Sequence, residues 1–509
     1  METIDTLTPT VKPTKLYYYQ ESDINKVFDT LEQNPENYRL LYQLPTGGGK
    51  TVIFSELTRR YIERFGKKVT VLTHRTELCK QTSTTLKNNG VKNKIINSAI
   101  KRLSRKDDSK CYVAMVETLK NRLKTGNINT DDVGLVIIDE AHNNSFQKLL
   151  GKFKNAFVIG VTATPFSSDI NLPMHKNYNE LIVGENISTL IEKGFLAKPK
   201  TFTYDVELNT LKTGIHGDFT VSTSDELYSS PAMLNLLLEA YEANSKNKKA
   251  LIFNNGIFTS HKVCHMFNDA GYPAKHLDNK TPAAERKEIL TWFKKTKGAI
   301  LSSVSILTTG FDEPSVQTVI LNRATTSVTL YHQMIGRGSR RLPSKKTFNI
   351  IDLGNNTDRF GHWHEPVDWK HVFENPQAYY EGLSARTASE LAHSMPSELR
   401  SKFPNSLEIA FDVEAEHRKA IDNDEKPKTV IIESIRQHAL MCMENSETIS
   451  EALHLAEALD SEIDWRVKQY AKCLGNATKS YKTWLTEDYK ARLQTLIKKV
   501  MHKREMAKA

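Results

Sequence analysis

The run Val133-Gly134-Leu135-Val136-Ile137-Ile138 carries no polar side chain and leads straight into Asp139 and Glu140. A strand of that composition has no face to give to solvent, so it belongs in the middle of a sheet covered on both sides. Such sheets are parallel and flanked by helices. Similar apolar runs recur at 38–44, 67–73, 111–116 and 157–162, separated by stretches with helical spacing. The alternation predicts a doubly wound parallel-sheet domain over residues 1–195.

The pattern restarts at 249–253 and continues at 274–277, 298–303, 316–321 and 348–353, which predicts a second α/β domain over 231–365. Between the two, residues 196–230 hold Pro199, Gly214 and Gly217 and read as a connector with room for strands. From 366 to 509 strand alternation stops, and the spacing predicts a helical, basic accessory region. The expected fold class is therefore α/β, two tandem doubly wound parallel-sheet domains followed by an α-helical region.

Ligands of such sheets gather at the carboxyl ends of the strands. That rim would carry Thr73-His74-Arg75, Glu117-Thr118, Asp139-Glu140 and Thr162-Ala163-Thr164-Pro165. The first apolar run leads there into Pro45-Thr46-Gly47-Gly48-Gly49-Lys50-Thr51 and then a helical pattern. Strand, glycine loop and helix form a phosphate cradle: backbone N–H groups close around the anion at a helix N-terminus and Lys50 reaches the β/γ-phosphates. Thr51 and Asp139 are the candidate Mg²⁺ ligands, and Glu140 is placed to orient or deprotonate the attacking water. Far along the chain, Gln333-Met334-Ile335-Gly336-Arg337-Gly338-Ser339-Arg340 offers Arg337 and Arg340, three residues apart and expected on one helix face. Their planar forks suit the charge that develops on a transferred phosphoryl group. If they reach ATP, the nucleotide lies between two domains.

At 509 residues the chain is too long for a single ordinary core, and a net charge of +10 favours an anionic partner. Cys79, Cys111, Cys264, Cys442 and Cys473 form no Cys-x-x-Cys pair, so neither zinc nor a disulfide framework is indicated. No run approaches the roughly 18 apolar residues a membrane span needs, and the acidic, Thr-rich start lacks a signal pattern, so a cytoplasmic protein without a membrane partner is expected. From Trp465 onward, Arg466, Lys468, Lys472, Lys479, Lys482, Lys490, Arg492, Lys498, Lys499, Lys503 and Arg504 interleave with Tyr470, Tyr481, Trp484 and Tyr489. Two readings are open for this tail: phosphate contact with base stacking, or solvated lysine faces around an aromatic core.

The ordered set of motifs resembles the superfamily 2 helicases of the DEAH-box kind, closest in wording to the RadD-like and type III restriction-subunit branch, over residues 16–355. The resemblance makes Tyr19-Gln20 the Q motif, with Gln20 reading adenine, and Gly47–Thr51 motif I. Thr73–Leu78 is motif Ia and Asp139–His142 motif II. Gly160–Phe166 is motif III, whose Thr162 and Thr164, with His142, couple ATP state to strand movement. In the second domain Ile252–Asn254 lies at motif IV, Ile306–Asp312 is motif V and Gln333–Arg340 motif VI. It implies two RecA-like domains, ATP and Mg²⁺ as cofactors, and Lys50, Asp139, Glu140, Gln333, Arg337 and Arg340 as catalytic residues. Gln20, Thr46 to Thr51, Gly310 and Asp312 would bind nucleotide, and Thr73, Arg75, Thr118, Thr308 and Thr309 nucleic acid.

The activity so implied is an ATP-dependent helicase or translocase acting on single-stranded, forked or branched DNA in repair, recombination or phage replication. RadD-like proteins often carry cysteine-rich zinc-binding tails, which this chain lacks, so a phage or mobile-element role stands beside repair. A duplex-translocating motor of a restriction-type complex and an RNA helicase are the alternatives, and a non-hydrolysing clamp is the rival outside catalysis. The helical C-terminal region is open to a protein partner.

Overall fold

The computed structural model describes residues 15–508 apart from 98–107, 125–129, 144–145, 168, 170, 215–216, 309, 392–396, 407–410, 424 and 476. Thr309 therefore lies outside the described residues. Two sheets organise the first 391 residues. The first contains β1 (Arg39–Gln43), β2 (Lys68–Thr73), β3 (Asn93–Ile96), β4 (Cys111–Met115), β5 (Val133–Asp139), β6 (Phe157–Thr162) and β7 (Glu180–Val183), in the order β3-β4-β2-β5-β6-β1-β7. The second contains β8 (Lys198–Thr203), β9 (Ala250–Asn254), β10 (Ala274–Leu277), β11 (Ile300–Val304), β12 (Thr318–Asn322) and β13 (Thr347–Asp352), in the order β10-β11-β9-β12-β13-β8. Every pairing between these strands is parallel. The fold is two RecA-like α/β domains with a helical C-terminal region.

Strand β5 is buried along its whole length, as its composition requires. Its neighbour β6 pairs Val161 with Asp139 on one side and Thr162 with Gln43 on the other. The glycine loop after β1 and the carboxylates after β5 thus emerge one strand apart, where the strand order reverses. That crevice is where an open α/β sheet binds its ligand.

Strand β8 comes from the expected connector and forms the edge of the second sheet, pairing with β13 from Lys198↔Thr347 to Thr203↔Asp352. An edge position suits Pro199, which has no N–H to give a ladder. After β13 the chain turns back. Trp369, Val372 and Phe373 join an apolar core with Leu41, Ile138, Val158, Phe166 and Met174 of the first domain.

Residues 392–509 form a separate compact unit. Its helices span Ser397–Arg400, Val413–Asp422, Thr429–Glu444, Ile449–Ala458, Asp460–Cys473 and Lys479–Lys508. They enclose Phe403, Ile435, Leu459, Ile463, Leu485 and Leu493. Arg466 is wholly buried, with Nε 3.0 Å from Glu462 Oε1 and Nη1 donating to Ser434 Oγ at 3.1 Å. Ser434 Oγ lies 2.8 Å from Tyr489 OH, which is 2.9 Å from His438 Nδ1. Of the tail's two readings, the core one therefore holds for Arg466, Tyr470 and Tyr489, all buried, whereas Trp484 is 54% exposed. No helix among the described residues is long and apolar enough to cross a membrane.

Candidate active site

The phosphate cradle gets its shape from two glycines. Gly47 and Gly49 have φ of 92° and 91°, a region that a side chain strongly disfavours, and Gly49 caps the helix Lys50–Phe65. A Cβ on Gly49 would stand 2.5 Å from Gln20 Nε2, and one on Gly47 2.8 Å from Ser339 Oγ. The loop is thus pressed between the Q-motif helix Tyr18–Gln33 and motif VI. Tyr19 OH donates to Gly48 O at 2.8 Å. Gln20 Oε1 accepts from Tyr17 N at 3.0 Å while its Nε2 lies 3.4 Å from Gly48 O, so here Gln20 braces the loop. Lys50 Nζ donates to Leu44 O at 3.1 Å. Burial lowers the Lys50 pKa, and the charges of Glu140 and Asp139 oppose that shift.

Asp139 closes β5, and Glu140 follows with φ of 55°, a left-handed conformation unusual for a side chain this long. Both are buried. Burial, with Glu140 alongside, pushes the Asp139 carboxyl up to about 7. Burial also opposes ionisation of Glu140, but the surrounding cations, led by Lys50, outweigh it and hold that carboxyl below its usual value. Glu140 Oε2 has no hydrogen-bond partner. A buried acidic pair with an unsatisfied oxygen supplies the oxygen donors that Mg²⁺ prefers, and the Thr51 hydroxyl, in the first turn of the helix after the loop, is of the same kind. Among the described residues no group of three or more His, Cys, Asp or Glu is arranged to hold a metal, so such an ion would need phosphate oxygens to complete its shell.

Beside this pair, a chain of hydrogen bonds runs from His142 to the second domain. His142 Nδ1 lies 3.5 Å from Glu140 Oε2 and 2.9 Å from Thr162 Oγ1. Thr162 Oγ1 donates to Thr164 O at 3.0 Å and accepts from Thr164 N at 3.2 Å. Its one hydroxyl proton is then used, so His142 must be the donor, protonated at Nδ1. Burial lowers the His142 pKa, which favours this neutral ring. Thr164 Oγ1 finally donates to Thr329 Oγ1 at 2.9 Å, across the domain boundary. No local signal marked Thr329, because its role depends on a residue 165 positions away.

Motif VI departs from the sequence expectation. Its helix, Val328–Ile335, stops at Gly336, so Arg337 lies in the turn that follows and Arg340 in an antiparallel bridge to Leu196, instead of the two sharing a helix face. Close packing leaves no room for a side chain at the glycines of this turn. A Cβ on Gly336 would meet Thr46 Cβ at 2.5 Å, and one on Gly338 would meet Phe348 Cδ2 at 2.5 Å. Gln333, buried, lies in the helix's last turn. The Arg337 fork donates to Phe311 O at 2.6 Å and Thr308 O at 2.8 Å, leaving Nε unpaired. Burial pushes its pKa down to about 10. Arg340 Nε pairs with Asp312 Oδ1 at 3.2 Å, at a half-exposed position. The left-handed Gly310, φ 73°, faces Leu78. Because Gly336 abuts Thr46 directly, Gly336→Ala should push motif VI off the loop and raise the KM for ATP several-fold with a smaller effect on kcat. Steady-state ATP titration checks this.

The nucleic-acid candidates are placed unequally. Arg75 Nη1 donates to Ile306 O across the boundary at 3.3 Å, and Thr118 is half-buried on the helix Val116–Lys124. Thr73 is wholly buried, its hydroxyl 2.9 Å from Cys79 Sγ, and Thr308 is buried with its carbonyl held by Arg337.

Residues 13–167 match the family described as "Type III restriction enzyme, res subunit" and residues 232–341 the "Helicase conserved C-terminal domain". The chain belongs to the superfamily 2 helicases. Within that superfamily its matches fall in the branch that includes restriction subunits. It is 30% identical over 357 residues to the "Putative ATP-dependent helicase IRC3" of Saccharomyces cerevisiae, covering 66% of this chain and 51% of that protein. It is 27% identical over 386 residues to a 51.5 kDa protein of a Lactococcus phage, covering 74% and 80%. This helicase therefore spans about half the length of the yeast relative. "The fragment structure of a putative HsdR subunit of a type I restriction enzyme from Vibrio vulnificus YJ016" superposes with a TM-score of 0.55 at 22% identity, covering 69% of this chain and 67% of that one.

Proposed function

We propose that this helicase is an ATP-driven motor on DNA, with forked or branched DNA as its preferred substrate. One observation carries the reading: the phosphate loop of the first domain is walled by motif VI of the second, Gly47 against Ser339 and Gly336 against Thr46. A site divided in this way is whole only when the domains are together, so the nucleotide state and the domain spacing are one variable. In this reading Lys50 and the loop N–H groups hold the β/γ-phosphates, and Thr51 with Asp139 would hold Mg²⁺, which neutralises phosphate charge when bound. Glu140 takes a proton from water, and Arg337 and Arg340 steady the developing charge. Asp312 seats Arg340, the turn at Gly310 lies between the two carbonyls that seat Arg337, and Gln333 supports motif VI beside them.

Loss of the γ-phosphate removes the anion that the two sides share, and the chain His142–Thr162–Thr164–Thr329 carries the change across the boundary. Arg75 and Thr118 lie on the strand-end rim, where they grip phosphates without reading bases. The buried Thr73 and Thr308 serve through their backbone. Relatives named as restriction subunits support DNA over RNA. They also support a second reading, a duplex-translocating motor within a nuclease assembly.

The test is ATPase stimulation by single-stranded DNA, duplex, fork, four-way junction and single-stranded RNA, with Lys50→Ala as control. The proposal expects fork or junction to stimulate most. Duplex alone stimulating fully would favour the restriction motor, RNA ranking first would reverse the choice of nucleic acid, and no hydrolysis above the Lys50→Ala level would leave only a clamp.

A further inference from the structure

The stretch that leaves the second sheet and leads towards the C-terminal unit touches both halves of the coupling machinery. Residues Asn356–Phe360 stay with the second domain, where Tyr331 OH, on the motif VI helix, donates to Gly361 O at 2.9 Å. The helix Trp369–Glu374 then inserts Trp369, Val372 and Phe373 into the first domain's core, and His175 Nδ1 lies 3.1 Å from Phe373 O. Trp369 also meets His332, on the helix that leads into motif VI, with ring centroids 5.7 Å apart, and His332 is the immediate neighbour of Gln333. The next helix, Pro376–Leu391, places Tyr379 edge-on against Phe166, the last residue of motif III, at 5.3 Å. It returns to the second domain through Arg386, whose Nη1 donates to Arg359 O at 2.9 Å. One covalent segment therefore holds motif III by one aromatic side chain and the helix that leads into motif VI by another.

We propose that residues 366–391 are a strap across the two α/β domains, in which Trp369 and Tyr379 are positioning residues that set motif VI and motif III in register for hydrolysis. Neither ring borders the phosphate loop, so neither acts on the nucleotide directly. Trp369 fixes the helix that delivers Gln333 and Arg337, and Tyr379 fixes the end of the loop that carries Thr162 and Thr164. Aromatic pairs of this kind favour one mutual geometry and resist sliding. The strap also limits how far the domains part when the nucleotide leaves.

The inference rests on the ATPase reading above, so its readout is the turnover of each variant relative to the wild-type chain measured beside it. That ratio is defined whatever nucleic acid stimulates, and failure of stimulation in the wild type bears only on the earlier reading. Tyr379→Ala should lower kcat about ten-fold with the KM for ATP within two-fold and the melting temperature little changed. Tyr379→Phe keeps the ring and should restore turnover. Trp369→Phe, which retains volume better than Ala, should show the same split to a lesser degree. Unchanged kcat in both Tyr379→Ala and Trp369→Phe would overturn the proposal. So would a loss in Tyr379→Ala that Tyr379→Phe does not recover, or one that tracks a falling melting temperature.

Discussion

Arg337→Ala is expected to lower nucleic-acid-stimulated turnover on the order of 10³ while ATP binding changes by no more than a few-fold. The structure gives a reason beyond analogy. The guanidinium is buried, its fork rests on two carbonyls, and Nε has no partner. A cation held away from water without a contacting carboxylate is costly, and here the cost appears as a pKa pushed down to about 10. An arriving γ-phosphoryl group offers the missing counter-charge, and offers most of it when charge has spread over its oxygens in the transition state. The interaction is therefore worth more at the barrier than in the ground state, which is the condition for an effect on kcat. Arg337→Lys should recover little, because a point charge cannot span Thr308 and Phe311 while facing the phosphate. Single-turnover hydrolysis and a fluorescent-nucleotide titration separate the two quantities. Normal hydrolysis by Arg337→Ala would remove this residue from the site.

What could be read in the sequence depended on whether the determining contact was local. Strands β5, β6 and β9, buried on both faces, announced themselves as apolar runs. The edge strands β3 and β7 did not: each is four residues long, and β7 buries only Leu181 and Ile182 between two exposed ends, so nothing in them departs from a loop. Lys50, Asp139 and Glu140 could be located from the sequence because each lies at or shortly after the end of a buried strand, whereas Gln20 lies on the helix Tyr18–Gln33 ahead of the first strand. The turn at Gly336 was invisible because the atoms that forbid a side chain there belong to Thr46, in the other domain. In the tail, the spacing of Leu485, Tyr489, Leu493, Ile497 and Met501 does mark one buried helix face. Tyr489 falls on that face, so its spacing, and not its aromatic type, places it in the core.

Glu140→Gln should abolish hydrolysis to a similar degree, about 10²–10⁴-fold, but with the opposite effect on the bound state. The substitution keeps size and removes the proton acceptor, so the closed, ATP-loaded form should accumulate and nucleic-acid affinity in the presence of ATP should hold or rise. Asp139→Asn, by contrast, would remove the proposed Mg²⁺ ligand and should raise the Mg²⁺ concentration needed for binding. The backbone at Glu140 supplies a second, independent check. At φ 55° a non-glycine residue carries strain of about 1–3 kcal/mol, which a plain strand end would not retain. Glu140→Gly should therefore lose activity as fully as Glu140→Gln yet unfold at a temperature no lower than the wild type, because it relieves the strain. Gains in stability with total loss of hydrolysis would identify the strain as the means by which the carboxylate is held towards the phosphate loop. A Glu140→Gly variant that is both inactive and clearly less stable would assign this conformation to packing alone.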